Sequence, residues 1–327
     1  MSGLGVALVA LVAAAAVSTS IGTRAVPLST VVDALLHFDP RDVDHLAVRE
    51  LRLPRTALGI VAGAALGLAG AVMQGVTRNP LADPGILGVN AGAALFVVVG
   101  INVFGITAVS GYLWFGLVGA ALAAFLVYAV SSLGRGGATP VKLALAGAAV
   151  SAALMSLTTA ILLIDTDTFD QFRFWRVGSL SGRDGTVVVQ ALPFVAVGAA
   201  LALVSGRMLN ALALGEDTAR SLGQNVGRGR ALAALSVVLL CGAATAMCGP
   251  LAFIGLAVPH LARLITGPNY RWILPYSMVL APCLLLAADV VGRVAIPPSE
   301  LQVGLITPII GAPVFILLVR ARTMVEL

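Results

Sequence analysis

Lysine occurs once in the 327 residues, at Lys142, and charged side chains of all kinds make up only 11% of the chain. The lone lysine follows Val141 rather than the glycine that a GxxxxGK[ST] phosphate loop needs, so the chain carries no nucleotide site of that type. Cysteine is almost as scarce. Cys241, Cys248 and Cys283 lie in apolar runs with no CxxC spacing and no neighbouring histidine, which reads as buried thiols rather than a metal set. His37, His45 and His260 are far apart in sequence and fall on different expected sides, so neither a metal site nor a histidine-based triad assembles. Aromatic residues are 6% of the total, and the basic residues behind the net charge of +5 stand singly in short loops, which excludes a nucleic-acid face. No catalytic constellation and no cofactor are expected.

What the sequence has in abundance is apolar length. With 59% hydrophobic residues and a mean hydropathy of +1.01, one soluble core cannot absorb the apolar surface, and a bilayer is the fitting solvent. The runs are continuous rather than alternating, which selects helices over a membrane barrel. Runs near 20 residues fall at 3–22, 54–77, 87–106, 111–131, 142–164, 187–206, 230–248, 251–266, 273–294 and 302–319. The expectation is an all-α polytopic membrane protein of about ten transmembrane helices, with residues 1–327 forming one transmembrane domain. The first run lacks the positive start of a signal peptide and is expected to be retained. The eighth, "GPLAFIGLAVPHLARL", contains proline, histidine and arginine and is expected to be broken or partly inserted.

Ten spans put both termini on one side. Taking that side as cytoplasmic leaves eleven basic residues inside, Arg135 among them, and nine outside. The outer ones concentrate in "RDVDHLAVRELRLPR" and "DTDTFDQFRFWRVGSLSGRDG", each long enough for a small external element. Gly59, Gly63 and Gly67 make a GxxxGxxxG ridge for close helix packing. Within the spans, Asp289 is the one acid; it precedes Arg293 by one helical turn, which reads as a local ion pair. Pro80, Leu81, Ala82 and Gly85 recur 170 positions later as Pro250, Leu251, Ala252 and Gly255, a faint internal echo of the kind transporters carry.

Two polar segments stand out. "MQGVTRNPLADPGILGVN" separates the second and third spans; Pro80 and Pro84 stop the helix, and Asn79 and Asp83 are placed to cap free backbone groups. In the loop 207–230, Gly215 and Gly223 bracket a unit opened by Glu216 and Asp217, which predicts a short surface helix with Ala219 and Leu222 as its apolar face. An ordinary solvated loop fits that spacing equally well.

The segments "RLPRTALGIVAGAALGLAGAVMQGVTRNPLADPGILGVNAGA", "FRFWRVGSL", "LALGEDTARSLG", "GPLAFIGLAVPHLARL" and "ADVVGR" through "IGAPVFILLVR" resemble, in order, the permease subunits of iron-siderophore ABC importers, the FecCD family, which includes the vitamin B12 permease. "DQFRFWRVGSL" and "LCGAATAMCGPLAFIGL" resemble the ferric-enterobactin branch. The resemblance implies the type II ABC importer permease fold in the cytoplasmic membrane, both termini cytoplasmic. Its partners would be a second permease subunit, a paralogue in preference to an identical copy, two cytoplasmic ATPases and an extracytoplasmic binding protein. It implies a cytoplasmic gate at Asn79, Pro80 and Leu81. A second gate segment would fall at Thr139, Pro140 and Val141, where the B12 permease carries small hydroxyl residues. It further implies an ATPase coupling element built from Leu214, Gly215, Glu216, Asp217, Ala219, Arg220, Leu222 and Gly223. Arg52, Arg55 and Arg293 match positions that receive acids of the binding protein. Ferric siderophore is the implied cargo. The alternatives are a vitamin B12 or haem permease, an ion-coupled secondary carrier resting on Asp289, and a membrane scaffold subunit.

Overall fold

A computed structural model of the chain describes residues 2–22, 24–133, 139–296 and 299–323. Arg135 lies outside them. Helix α1 (Ser2–Ser20) is followed by two short helices, α2 (Leu28–Leu36) and α3 (Val43–Leu46). Asp42 starts α3 by accepting from the Asp44 and His45 amides, and a wide helical turn over Ala47–Arg52 feeds into α4 (Leu53–Thr77). Helix α4 stops where Arg78 takes a left-handed conformation (φ 52°) ahead of Pro80. A 3₁₀ turn at Pro84–Leu87 and a left-handed Gly88 then launch α5 (Val89–Phe104).

Helices α6 (Val109–Ser132) and α7 (Pro140–Ile164) follow, then the polar α8 (Thr166–Val177) and the apolar α9 (Gly185–Val204). Two short helices, α10 (Gly206–Ala213) and α11 (Glu216–Ser221), lead to α12 (Val226–Cys248). The chain ends with α13 (Ile254–Thr266), α14 (Tyr270–Val294) and α15 (Val303–Thr323). Side chains at chain reversals satisfy the amides that open the next helix: Asp165 for α8, Asp184 for α9, Asn225 for α12 and Asn269 for α14.

Among the described residues, seven helices are long and apolar enough to cross a membrane: α1, the continuous stretch Val43–Thr77 that includes α4, α6, α7, α9, α12 and α14. Three shorter apolar helices, α5, α13 and the Val303–Pro313 part of α15, complete the ten expected runs. The eighth expected span, 251–266, is helical without a break from Ile254 on, and α13 has 13 residues, about 20 Å at 1.5 Å per residue.

Helix α4 is the hub, packing on α14, α12, α13 and α9. Its glycine ridge explains why. A Cβ on Gly63 would lie 2.7 Å from the backbone nitrogen of Pro282, and one on Gly67 would lie 2.4 Å from the Ser277 carbonyl. One turn on, a Cβ on Gly70 would lie 1.8 Å from the Gly255 carbonyl. Lipid offers no hydrophobic drive between helices, so backbone approach of this kind supplies the contact energy. The echoing segments meet here: a Cβ on Gly255 would touch the Pro84 ring at 3.2 Å. From this meeting point α5 runs toward Asp165, which accepts from Asn102, whereas α13 runs the other way toward Tyr270 and Arg263.

Candidate functional site

The two ends of the bundle carry different polar chemistry. At the end where α4 begins, Asp289 of α14 is fully enclosed (0% exposed). Arg55 donates to it from Nε (3.0 Å to Oδ2) and Nη2 (2.8 Å to Oδ1). Arg293 donates from Nε (3.0 Å to Oδ2) and from Nη2. The remaining donors of Arg293 reach the end of α1 and the residue just past it, at the Ser18 carbonyl (2.6 Å), the Ser18 hydroxyl (3.1 Å) and the Ile21 carbonyl (3.0 Å). Arg55 Nη1 turns outward to Glu300 at 2.7 Å. Two cations around one buried acid, with a second acid at the rim, bring the cluster near neutrality, which is what makes its burial tolerable.

Of the three arginines expected at an external docking surface, the fold therefore separates one from the others. Arg293 is 2% exposed and its donors are occupied, so it presents nothing to a partner. Arg52 and Arg55 lie half-buried at the rim. Arg52 is spent on backbone, donating to the carbonyls of Thr19 (2.9 Å), Ser20 (2.7 Å) and Arg24. The expected Asp289–Arg293 ion pair is present; Arg55, 234 positions away, is the partner that periodicity could not reveal.

At the opposite end, the turn after α4 caps itself: Asn79 Oδ1 accepts from the Leu81 amide at 2.9 Å, and Asp83 Oδ1 from the Gly85 amide at 2.7 Å. Burial pushes the Asp83 carboxyl above the usual range, against the pull of the Gly85 bond. Asn79, Pro80 and Leu81 form the exposed tip, while Ala82, Pro84 and Leu87 are buried beneath it. Thr139 caps α7, with Pro140 in its first turn and Val141 68% exposed. The 3₁₀ turn rests on α7, where a Cβ on Gly147 would lie 1.8 Å from the Ile86 carbonyl.

Also at this end, α11 is the short helix expected between Gly215 (φ 111°) and Gly223 (φ 79°), conformations that suit glycine alone. Glu216 anchors it by accepting from Arg220 (2.7 Å) and Arg230 (2.9 Å), while the Asp217 side chain is fully exposed. Ala219 is buried, but Leu222 is 60% exposed, which corrects the expected shared apolar face. Helix α11 ends at Ser221, so Leu222 follows a C-terminal turn outward, as does Leu214 on the other side. Beside α11, Glu216, Arg220 and Arg230 border an apolar cavity of about 480 Å³ reaching Met73, Phe125 and Val237. The helix thus sits over space rather than on a dense core.

Sequence reasoning missed a polar chain linking α10 to the end of α4. Asn210 donates to Asn269 Oδ1 and accepts from the Tyr270 amide, both at 2.8 Å. Arg263 donates to the Tyr270 hydroxyl at 3.1 Å and to Gln74 Oε1 at 3.3 Å, and Gln74 donates to the Leu256 carbonyl at 3.1 Å. Gln74 lies one turn before the Arg78–Leu81 turn. Only the asparagine next to a helix start was a visible signal.

Comparison with known proteins places this arrangement. The profile of the FecCD transport family matches residues 9–321. The chain is 46% identical over 317 residues to the ferric enterobactin transport system permease protein FepD of Escherichia coli (strain K12), covering 97% of this chain and 94% of that one. It is 37% identical to the cobalamin import system permease protein BtuC of Halobacterium salinarum, covering 93% and 84%. Among solved structures, a metal-chelate type ABC transporter in an inward-facing conformation superposes with a TM-score of 0.84 at 27% identity, covering 98% of this chain and 99% of that one. The chain has the ABC importer permease fold and belongs to the FecCD transport family.

Proposed function

We propose that this chain is the membrane subunit of an ATP-driven importer that carries a ferric siderophore into the cytoplasm. The observation that carries the reading is the similarity to the enterobactin permease, which extends over nearly the whole of both chains. The lone lysine outside any phosphate loop requires that ATP be bound by other subunits. Residues 1–327 act as one permease domain in the cytoplasmic membrane, with both termini and the loop 207–230 on the cytoplasmic side. Two ATPases seat against Leu214, Gly215, Glu216, Asp217, Ala219, Arg220, Leu222 and Gly223, with exposed Leu214, Asp217 and Leu222 supplying the contact. Asn79, Pro80 and Leu81 form the cytoplasmic gate together with Thr139, Pro140 and Val141 and the matching segments of a second, paralogous permease. The binding protein docks at the Arg52 and Arg55 rim, where Arg293 holds Asp289 in place from below.

The test is growth on a ferric siderophore as sole iron source in a strain lacking this gene and any redundant permease. Growth should fail and return with the gene, while vitamin B12 uptake continues. Normal growth of the deletion strain would overturn the cargo assignment, and loss of B12 uptake would transfer it to cobalamin.

A further inference from the structure

The apolar cavity of about 480 Å³ beside α11 has no task in the transport reading, though its volume is that of an ordinary ligand pocket. Its inner wall is made by Met73 of α4, Leu87 of the 3₁₀ turn and Val237 of α12, none more than 4% exposed. Its outer edge is different. Phe125 and Tyr128 of α6 and Leu235 of α12 stand there, 71%, 42% and 47% exposed. Beyond them Val118, Leu122 and Leu126 of α6 and Leu232 of α12 are also exposed, so the space opens sideways onto an apolar face of two spans. The solvent of such a face is lipid.

The mouth toward α11 is polar and positive. Arg220 and Arg230 border it, and their side chains keep 62% and 18% of their surface accessible. Each spends one Nη2 donor on Glu216, at 2.7 and 2.9 Å, which takes both carboxylate oxygens. Arg230 has no other acceptor among the described residues. One carboxylate between two guanidinium groups leaves a positive surplus, and the further acid, Asp217, stands 3.8 Å from Arg220 with its side chain fully exposed to screening water. The depth agrees. Tyr128 is four residues before the end of α6 and Arg230 is the fifth residue of α12, so the mouth lies where spans end and headgroups begin. Basic pockets between spans at that level suit anionic headgroups. A soluble anion would leave the apolar walls unfilled, and a lipid without net charge would leave the surplus unanswered.

We infer that this cavity holds one acyl chain of an anionic phospholipid, whose phosphate accepts from Arg220 and Arg230 while the acyl chain runs inward to Met73. The inference requires only that the protein sits in a bilayer, so it stands or falls apart from the cargo. The full protein, with any subunits that accompany it, is placed in phosphatidylcholine nanodiscs containing trace phosphatidylglycerol with a photoreactive diazirine in one acyl chain. Labelled residues are mapped by peptide mass spectrometry. Labelling is expected at Met73, Leu87 or Val237, which bulk lipid does not reach, as well as at exposed Phe125. The same diazirine on phosphatidylcholine should label the inner positions about fivefold less and Phe125 equally, since one basic residue contributes about that factor at an anionic surface. Arg230→Gln should lower inner labelling by phosphatidylglycerol about fivefold for the same reason. Ala234→Leu, which fills the cavity from α12, should abolish it and leave Phe125 labelled. If Arg230→Gln does not fold, Ala234→Leu and Arg230→Lys decide, the lysine retaining most of the labelling. The proposal is overturned by labelling confined to the exposed edge, by inner labelling that the folded variants do not reduce, or by equal inner labelling from the phosphatidylcholine probe. Suppression of inner labelling by palmitate as effective as that by unlabelled phosphatidylglycerol would assign the cavity to a fatty acid and overturn it too.

Discussion

Arg55 and Arg293 share a single buried carboxylate, Asp289, and through it tie α4, α14 and α1 together. Removing the acid leaves two guanidinium groups facing each other in a closed site. Asp289→Asn should therefore destabilise the protein by about 3–5 kcal/mol, the scale for breaking a buried pair. Glu300→Gln, at the open rim, should cost under about 1 kcal/mol. Denaturant titration of both variants in mild detergent checks the contrast.

If the rim receives acids of a binding protein, Glu300 is their competitor, since it already occupies Arg55 Nη1. Glu300→Gln should then speed association and Arg55→Gln should slow it, with the salt dependence reduced in the second. Association rates measured at two salt concentrations decide; equal rates in the two variants would remove Arg55 from the docking surface.

Glu216 and Asp217 should part company on mutation. Glu216→Lys faces Arg220 and Arg230 and should unseat α11, raising its protease sensitivity. Asp217→Lys, fully exposed, should leave α11 seated while lowering ATPase copurification. Loss of copurification with Glu216→Lys alone would mean that the helix matters only as a fold element.

Asn210→Ala removes the group that holds both Asn269 and the Tyr270 amide. The orphaned donor should cost about 1–3 kcal/mol. If the chain through Arg263 and Gln74 transmits movement, cargo moved per ATP hydrolysed should fall several-fold while ATPase binding persists. An unchanged ratio in proteoliposomes would reduce the chain to static bracing.

A pH dependence belongs to Asp165, whose carboxyl is held below its ordinary value of 3.8 by Thr168 first and Asn102 next. A depressed carboxylate stabilises fully above the unfolded value and loses that contribution as pH falls through the folded one. The melting temperature should fall as pH is lowered from 6 to about 3, with a smaller fall in Asp165→Asn. Identical slopes would place the acid sensitivity elsewhere.

The ten apolar runs were legible because a span is set by length and composition, which a sequence displays directly. The capped turn at Asn79 and Asp83 was legible for the same reason: each cap reaches only two residues along the chain. Arg293 was misplaced because a position near a helix end says nothing of what leans over it, and here α1 does. The Asn210–Asn269 and Arg55–Asp289 bonds were invisible, since their partners are separated by 59 and 234 positions. Leu222 was assigned to the wrong face because the helix ends one residue before it.

The approach of Gly70 to Gly255 bears on how the protein is assembled. Helix α13 spans too little of the bilayer to lodge alone, and the backbone at 249–253 that leads into it is not helical. Unpaired backbone at membrane depth is tolerated only against protein. During synthesis, then, α13 gains a stable place only once α4, made nearly 180 residues earlier, offers its glycine face. Gly70→Ala, which forces a methyl onto the Gly255 carbonyl, should leave α4 inserted yet strand α13, seen as protease access to the loop 249–253 and a low yield of folded protein, whereas Gly5→Ala, with nothing within 4 Å, should assemble normally.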